Sequence, residues 1–251
     1  MHHFFVSPDQ ININDKSVII VGPDVNHIKN VLRMRIGEEF SVSNGLDGKE
    51  YRCGILAVEE DRIQGELRFI KEDKVELPAR VHLFQALPKA DKMEWIVQKA
   101  VELGAFRIIP VASSRCVVKL DDKKAGTRVL RWQGIAESAA KQSRRALIPE
   151  VTKVSRFSEA ISIAADMDIR LIPYEMAEDV SVTRKLLSGI RSGQDVAVFI
   201  GPEGGFSESE IALALANGIE PITLGRRILR TETAGMTVLS WLMYLLEIGP
   251  F

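Results

Sequence analysis

The sequence has few cysteines, almost no net charge and no long apolar run. Two of its 251 residues are cysteines, Cys53 and Cys116, and they form no CxxC pair. This content predicts neither a disulfide framework nor a zinc site, and it is typical of a chain that works in a reducing cytoplasm. The net charge of −1 excludes a global basic field. Any nucleic acid would therefore be bound through local basic patches.

Three further absences narrow the function. No stretch reaches the roughly 18 apolar residues that span a bilayer, and the N-terminus lacks the apolar segment of a signal peptide. We therefore predict a cytoplasmic protein with no membrane partner. The four histidines all lie in the first third of the chain, which disfavours histidine-based hydrolysis in the remainder. No metal-ligand spacing is present, so no metal is predicted.

The chain divides into two regions with different patterns. Residues 1–73 contain short, weakly alternating apolar runs, a hairpin signal at Asp47-Gly48 and one short helix over 24–33 with Asp24 as its N-cap. This pattern predicts a small β-barrel. The charged segment 71–78 is predicted to be a linker. Residues 74–251 alternate apolar strands with helices, which is typical of a parallel sheet with helices on both faces.

The most informative stretch runs from Ile200 to Ala234. It opens with IGPEGGFSESEI, a glycine-rich turn between a buried strand and a helix that starts with a Ser207–Glu210 capping box. Glycines permit positive φ and let a ligand approach the backbone. The stretch ends with LGRRILRTETA, an arginine-rich loop after another strand. Two such loops predict a ligand site at the carboxyl edge of the sheet.

The glycine turn matches neither of the common phosphate-binding motifs. It lacks both the P-loop and the G-x-G-x-x-G pattern, and Pro202 removes a donor where a phosphate cradle needs one. A nucleoside-type ligand therefore fits better than a polyphosphate. A tight turn with no ligand is the alternative that this motif alone leaves open. Helix capping is the corresponding alternative for Glu232 and Thr233, although it does not account for three nearby arginines.

Basic residues gather near the two loops and on the first region. Each one alone is typical of a solvated face, but together they could bind a polyanion. The clusters comprise Lys29, Arg33 and Arg35; Lys89, Lys92, Arg115 and Lys119; and Lys141, Arg144 and Arg145.

The last predicted helix, 234–248, is more apolar than one buried face requires. Ten of the thirteen residues from Met236 to Ile248 are apolar. This excess indicates a second buried face against a partner subunit. A central helix in a monomer is the alternative.

Taken together, these motifs resemble the RsmE family of SPOUT-class methyltransferases. The resemblance covers nearly the whole chain and rests on HHFFV, HIKNVLRMRIGE, LPKADKMEWIVQKAVELG, ESAAKQSRR, IGPEGGFSESE and LGRRILRTETA. It implies methylation of N3 of a uridine in small-subunit ribosomal RNA, free or in the assembled subunit, with S-adenosylmethionine. The sequence departs from the family pattern at His3, Ala90, Val101 and Ser114, where Arg, Gly, Thr and Glu are usual.

The resemblance also implies a fold and an assembly. Residues 1–73 would form a PUA-like, RNA-binding β-barrel. Residues 74–251 would form a SPOUT α/β domain, a knotted parallel sheet whose C-terminal part is a trefoil knot. The family further implies a homodimer built through the knot and the C-terminal helix. Composition and periodicity do not indicate a knot by themselves.

Site residues follow from the same motifs. Arg230 is predicted to stabilise charge on the base, and Glu232 or Glu203 to accept the N3 proton. The predicted donor-binding residues are Pro173, Glu175, Ile200, Gly201, Pro202, Gly204, Gly205, Leu224, Gly225, Ile228, Leu229 and Arg230. The predicted RNA contacts are Arg33, Arg35, Lys89, Lys92, Arg115 and Arg145. The competing function is a non-catalytic assembly factor that binds ribosomal RNA without the methyl donor.

Overall fold

The computed structural model describes residues 1–72 and 75–249. Its contacts divide the chain into two compact units. The first comprises Met1–Glu76 with Ala140–Ile148, and the second comprises Leu77–Ala139 with Pro149–Phe251. The boundary predicted between residues 73 and 74 lies outside the described residues. The sequence patterns did not indicate that 140–148 groups with the first unit.

The first unit is a six-stranded sheet with one short helix. Its elements are β1 (His2–Phe5), β2 (Ile11–Asn12), β3 (Ser17–Val21), α1 (Pro23–Asn26), β4 (Glu39–Ser43), β5 (Lys49–Val58) and β6 (Arg62–Glu72). The strand order is β1-β4-β5-β6-β3-β2, with β1 parallel to β4 and the other pairs antiparallel. Alternate residues point inward, and buried side chains such as Phe40 and Ile63 form one core. The predicted β class of this region is confirmed.

The helix predicted over 24–33 is wrong in extent and in its start. Helix α1 has Gly22 as its N-cap, with φ +78, and is followed by a π-helical turn over His27–Val31. Pro23 occupies the first helical position, where its missing N–H costs nothing, so the helix starts before Asp24. The predicted linker also begins too early, because Lys71 pairs with Glu50 in the sheet. Asp73 and Lys74 of that linker lie outside the described residues.

Specific bonds attach 140–148 to the first unit. The N–H of Ile148 donates to the carbonyl of Gly45 at 3.0 Å. Gly45 has φ +74, and a Cβ added there would lie 2.9 Å from Cδ1 of Ile148, so a side chain would disturb this contact. The guanidinium of Arg145, which is 2% exposed, bonds to Glu76 through Nε at 3.1 Å. The Arg145 side chain of this ion pair is buried and the Glu76 side chain is 17% exposed, so losing Glu76 would remove an ionic partner from a desolvated guanidinium.

The second unit is a parallel sheet flanked by helices. Its strands are β7 (Arg80–Ala86), β8 (Arg107–Ala112), β9 (Glu150–Val151), β10 (Ser155–Arg156), β11 (Ile169–Pro173), β12 (Asp195–Ile200) and β13 (Glu220–Ile222). Its helices are α2 (Lys92–Glu102), α3 (Asp122–Ser143), α4 (Phe157–Ala164), α5 (Val180–Ser188), α6 (Glu208–Ala216) and α7 (Thr231–Met243). The order is β10-β8-β7-β12-β11-β13, with β9 beside β8.

Strands β7 and β12 form the centre of this sheet. All strand pairs in the unit are parallel. The rings of Phe84 and Phe199 stack with centroids 4.4 Å apart, and both side chains are fully buried. Strands that are apolar on both faces need helices on both sides, which is why the alternating pattern predicted this architecture correctly.

Helix α7 starts earlier than predicted. Its N-cap is Arg230 rather than Thr233, and a π-helical turn over Tyr244–Ile248 continues it. The chain leaves the edge strand β13 and returns to the sheet centre, where α7 packs against α2, β7 and β12. A return of this kind across the strand ends is what the predicted knot requires. Within the described residues, no helix is both long and apolar enough to cross a membrane.

An ion cluster joins the two central strands at their amino ends. Arg80 and Asp195 are register partners, and their side chains meet with Nε 2.7 Å from Oδ1. Nε2 of His82 lies 2.7 Å from the same oxygen. The bond to Arg80 lowers the pKa of Asp195 to about 2, against an opposing effect of burial. Burial lowers the pKa of His82 despite its bond to Asp195, so a neutral ring donates to the carboxylate.

We expect Asp195→Asn to lower the free energy of unfolding by about 2 kcal/mol at neutral pH, as the depressed pKa implies. Because the pKa of Asp195 is depressed in the folded protein, its ionisation stabilises the fold at pH values above 3.8, the pKa of an unperturbed aspartate. This stabilisation is lost as the pH falls towards 2. Urea unfolding of both proteins at neutral and at acidic pH measures the difference, with exposed Asp166→Asn as the control. If the difference in the free energy of unfolding between Asp195→Asn and the wild type were as large at acidic pH as at neutral pH, this account would be contradicted.

Candidate functional site

The glycine turn follows β12 at the carboxyl edge of the sheet. A Cβ added at Gly201 would lie 3.2 Å from Cα of Gly205, so the two sides of the turn approach too closely for a side chain. Gly205 has φ +66, and its N–H donates to the carbonyl of Pro202 at 2.9 Å. The two glycines thus meet different requirements: close approach at one position and a left-handed backbone at the other.

Glu210 connects the glycine turn to the loop after β8. It completes the predicted capping box with Ser207, whose N–H donates to its carboxylate at 2.9 Å. The same carboxylate accepts bonds from the N–H and Oγ of Ser114 at 2.7 and 2.9 Å. Burial raises the pKa of Glu210, but these hydrogen bonds outweigh it and the net shift is downward. Arg115 adds a bond from Nη1 to the carbonyl of Gly204 at 2.9 Å.

Thr231 connects the glycine turn to helix α7 from within the core. Its Oγ1 donates to the carbonyl of Gly201 at 2.6 Å and accepts from Nε2 of Gln85 at 3.0 Å. Gln85 is fully buried and Thr231 is 5% exposed. Hydrogen bonds in such a site count for more than on the surface, because an unpaired polar group there stays desolvated. The start of α7 is therefore fixed relative to β7 and β12.

Lys92 lies between the two carboxylates considered as proton acceptors. Its Nζ is 3.2 Å from Oε1 of Glu203 and 3.1 Å from Oε2 of Glu232. Hydrogen bonds to Glu232 and then to Glu203 raise the pKa of Lys92. The N–H of Lys89 also donates to Oε1 of Glu203, at 3.1 Å.

Both of these carboxylates are ionised at neutral pH. Burial raises the pKa of Glu203, but hydrogen bonds from its own N–H, from Lys89 and from Lys92 outweigh burial and lower it. Burial likewise raises the pKa of Glu232, and bonds from its own N–H and from Lys92, with the charge of Arg230, lower it. Each ionised group has free lone pairs that can accept a proton, although its lowered pKa makes it a weaker base than an ordinary glutamate.

Arg230 presents an exposed side chain at the start of α7. Its backbone carbonyl accepts the N–H groups of Thr233 and Ala234 at 2.9 and 2.8 Å, which anchors its main chain. Its guanidinium makes no hydrogen bond to any other side chain or backbone group within residues 1–72 and 75–249. A positive group held at a fixed backbone position, with its side chain available, suits recognition of an anionic or polarised ligand.

The second predicted loop borders an apolar cavity of about 310 Å³. The side-chain hydroxyl of Thr223 accepts a hydrogen bond from the N–H of Gly225, which has φ +95. The backbone N–H of Thr223 donates to Oγ1 of Thr183 at 3.0 Å. The N–H of Tyr174 donates to the carbonyl of Ile222, which brings the loop after β11 alongside. The cavity is lined by Val180, Thr183, Arg184, Leu187, Ser188, Thr223, Leu224, Gly225, Trp241 and Leu245.

The predicted RNA contacts lie in different environments. Arg33 and Arg35 are exposed on the first unit, and Arg33 has φ +54, an uncommon backbone for a non-glycine residue. Lys89 and Arg115 are exposed on the second unit beside the glycine turn. Arg145, unlike these exposed side chains, is buried and bonded to Glu76.

Sequence reasoning missed the residues that connect the loops. Gln85 lies in an apolar strand, and nothing in its neighbourhood indicated a buried partner. Thr231 has no predicted role of its own, because the sequence offers Thr233 as the N-cap of the last helix. Ala90 did carry a signal, since it stands where the family has glycine, and the structure gives it φ +53. Across the part of the chain that the structure describes, no cluster of three or more metal-ligating side chains occurs.

Comparison with known proteins gives full-length matches. A family model described as an RNA methyltransferase domain matches residues 75–243, and one described as an RNA methyltransferase PUA domain matches residues 12–68. The chain is 36% identical to ribosomal RNA small subunit methyltransferase E of Bacillus subtilis, over 99% of this chain and 98% of that protein. It is 31% identical to the protein of the same name from Aquifex aeolicus, over 97% and 99%.

Two of the similar solved structures are complexes with a bound ligand, and one of these two matches nearly the whole chain. It is a ribosomal RNA small subunit methyltransferase E from Neisseria gonorrhoeae bound to S-adenosyl methionine. The identity is 32%, the TM-score is 0.79, and 98% of each chain is covered. The predicted fold class, a small PUA-like β-barrel domain followed by a SPOUT α/β knotted parallel-sheet domain, is confirmed by these matches, and the sheet of the first unit is curled into a half-barrel.

We expect Thr231→Val to lower the free energy of unfolding by about 1–3 kcal/mol, because it leaves the buried groups of Gly201 and Gln85 with one partner fewer. Valine has the same shape, so no cavity contributes. Urea unfolding measures the loss. Thr233→Val is the matched control, the same change at an exposed position of the same helix. Equal stabilities for the two variants would refute a structural role for the hydroxyl.

Proposed function

Since the chain belongs to the RNA methyltransferase family, we propose that it transfers a methyl group from S-adenosylmethionine to N3 of a uridine in small-subunit ribosomal RNA. Family membership rests on the match over residues 75–243 and on relatives of at least 30% identity over the full chain. The resemblance identified in the sequence is thereby confirmed, and with it the class of enzyme and the methyl donor. The choice of N3 is the finer part of the proposal.

The residues present fit the methyl donor. Because Gly201 and Gly205 carry no side chains, a ligand can approach the backbone of the glycine turn closely. Gly225 has a positive φ, so the second loop adopts a left-handed backbone that also allows close approach. The apolar cavity beside Leu224 and Gly225 offers a surface for a flat, weakly polar ring. The remaining proposed contacts are Pro173, Glu175, Ile200, Pro202, Gly204, Ile228, Leu229 and Arg230.

The chain's own residues supply charge and a proton acceptor. When bound, S-adenosylmethionine would supply an electrophilic methyl group. The carbon–sulfur bond would break with its electron pair left on sulfur, as N3 forms a bond to the methyl carbon. Uridine N3 carries a proton and is a poor nucleophile until that proton leaves. Glu232 or Glu203, both ionised, accepts it directly or through water. The guanidinium of Arg230 then stabilises the negative charge on the carbonyl oxygens of the base.

Exposed basic side chains bind the RNA in this proposal. Lys89 and Arg115 lie beside the glycine turn and contact phosphates near the target base. Arg33 and Arg35 contribute from the first unit. The uridine is presented unstacked, because N3 lies on its pairing edge. We propose that the reaction takes place in the cytoplasm, because its substrate is ribosomal RNA, either free or in the assembled subunit.

The meeting of the glycine turn, Arg230 and two ionised carboxylates at one sheet edge carries the proposal. Arg230→Ala is expected to retain donor binding and to lower the rate of methyl transfer by about 10²–10³-fold, the usual cost of one stabilising donor. Calorimetry measures donor binding. A reverse-transcription stop on ribosomal RNA from cells that lack this protein measures transfer, because an N3 methyl group blocks pairing.

Arg226→Ala is the matched control, an exposed arginine in the same loop with no proposed role in the chemistry. Full turnover in Arg230→Ala would overturn its assignment. A protein that binds the RNA but shows no donor binding would point instead to an assembly factor.

A homodimer through α7 is the second part of the proposal. Tyr244 and Ile248, the first and last residues of the π-helical turn that continues α7, are 51% and 67% exposed. Met236, Trp241, Met243 and Leu245 are partly exposed beside the buried face of the same helix. An apolar surface of this kind on a helix whose other face is already buried suits a second copy of the chain.

We expect Tyr244→Glu with Ile248→Glu to convert the dimer to a monomer, because two charges would be desolvated in the interface. Sedimentation velocity measures the mass. Ile163→Glu, a partly exposed residue on α4, is the control and should leave the dimer intact. A monomeric wild-type protein at micromolar concentration would rule out this interface.

A further inference from the structure

Lys92, the first residue of α2, forms ion pairs with both the glycine turn and the start of α7. Its ammonium lies 3.2 Å from Glu203 of the glycine turn and 3.1 Å from Glu232 in the first turn of α7. Three separate chain segments therefore meet at one nitrogen. The side chains are 30%, 27% and 19% exposed, so solvent screens these charges only in part.

The charges around this nitrogen disfavour a phosphate contact. The ammonium is already paired with two carboxylates, so it offers little uncompensated positive charge to a phosphate. A phosphate would also have to displace two formed ion pairs. Lys89 and Arg115, whose side chains are exposed nearby, face no such competition in the described contacts. The geometry thus favours an internal role for Lys92 over a contact with RNA.

We propose that Lys92 is a positioning residue of the methyl-transfer site, which holds Glu203 and Glu232 together as an ionised pair and ties the glycine turn to α7. The proposal rests on the function proposed above. Without the ammonium, two carboxylates from different loops would repel each other, and the loops would separate or one group would take up a proton. In either case the proton acceptor would be displaced or occupied.

The other groups facing the two carboxylates do not replace Lys92. Glu203 also accepts the N–H of Lys89 and has its own N–H, while Glu232 faces the charge of Arg230 and has its own N–H. Arg115 bonds to the carbonyl of Gly204 rather than to either carboxylate. None of these groups bridges both carboxylates.

The test compares Lys92→Met, which removes the charge, with Lys92→Arg, which keeps it. Lys99→Met is the matched control, since Lys99 lies on the same helix, is 34% exposed and pairs with Glu102 at 2.8 Å. Two readouts are needed. Carbon-13 NMR follows the titration of the Glu203 and Glu232 carboxyl groups in the protein alone. Initial rates against pH give kcat and the KM for ribosomal RNA.

In Lys92→Met we expect both carboxyl titrations and the acid limb of kcat to move to higher pH. The sign follows because the ammonium favours the ionised carboxylates, so its loss makes protonation easier. We also expect kcat to fall about 10- to 100-fold, as for misplaced catalytic groups, and Lys92→Arg to restore most of it. Lys99→Met should match the wild type in every measurement.

Two results would overturn the proposal. Unchanged carboxyl titrations in Lys92→Met would show that the ammonium does not hold the pair. A higher KM for RNA with an unchanged pH profile would assign Lys92 to phosphate binding. A wild-type protein that binds no methyl donor would instead refute the proposed function, while the titrations would still decide whether Lys92 holds the two carboxylates.

Discussion

The parallel pairing of β7 with β12 is the constraint on which the second unit depends. Six consecutive residue pairs join these strands, and both faces of the pair are buried. At the amino ends, Arg80, Asp195 and His82 fix the register through charge. At the carboxyl ends, Gln85 and Gly201 both bond to Thr231. A register slip would therefore separate the ion pair at one edge and the start of α7 at the other.

Charge in the proposed site is organised by shared partners rather than by isolated pairs. The carboxylate of Glu210 accepts hydrogen bonds from two serines of different loops. The ammonium of Lys92 forms ion pairs with two glutamates, one in the glycine turn and one in the first turn of α7. Each bond therefore sets the position of a loop as well as satisfying a polar group. Loops that follow parallel strands have few backbone partners of their own, so side chains of this type determine how the loops are arranged.

The sequence predicted the elements well where one physical signal dominated. Apolar runs marked the buried parallel strands, and the Ser207–Glu210 spacing marked the start of α6 correctly. The predicted start of α7 was wrong, because the sequence offers Thr233 as an N-cap, whereas the helix begins at Thr231, whose hydroxyl bonds to a carbonyl in the core. The family motifs predict which two loops bind the donor, and this assignment belongs to the proposal. The connections among them, through Gln85, Lys92 and Ser114, join residues far apart in sequence, and no local pattern encodes such partners.

The attachment of 140–148 to the first unit has a consequence for synthesis. The last strand of that unit ends at Glu72, yet Ile148 and Arg145, which bond to Gly45 and Glu76, are made much later. Until the ribosome has added them, the carboxylate of Glu76 lacks its cation. Domains usually fold as they emerge. Here the last segment of the first unit follows the opening strands of the second in the chain, so the two units are completed in an interleaved order during synthesis.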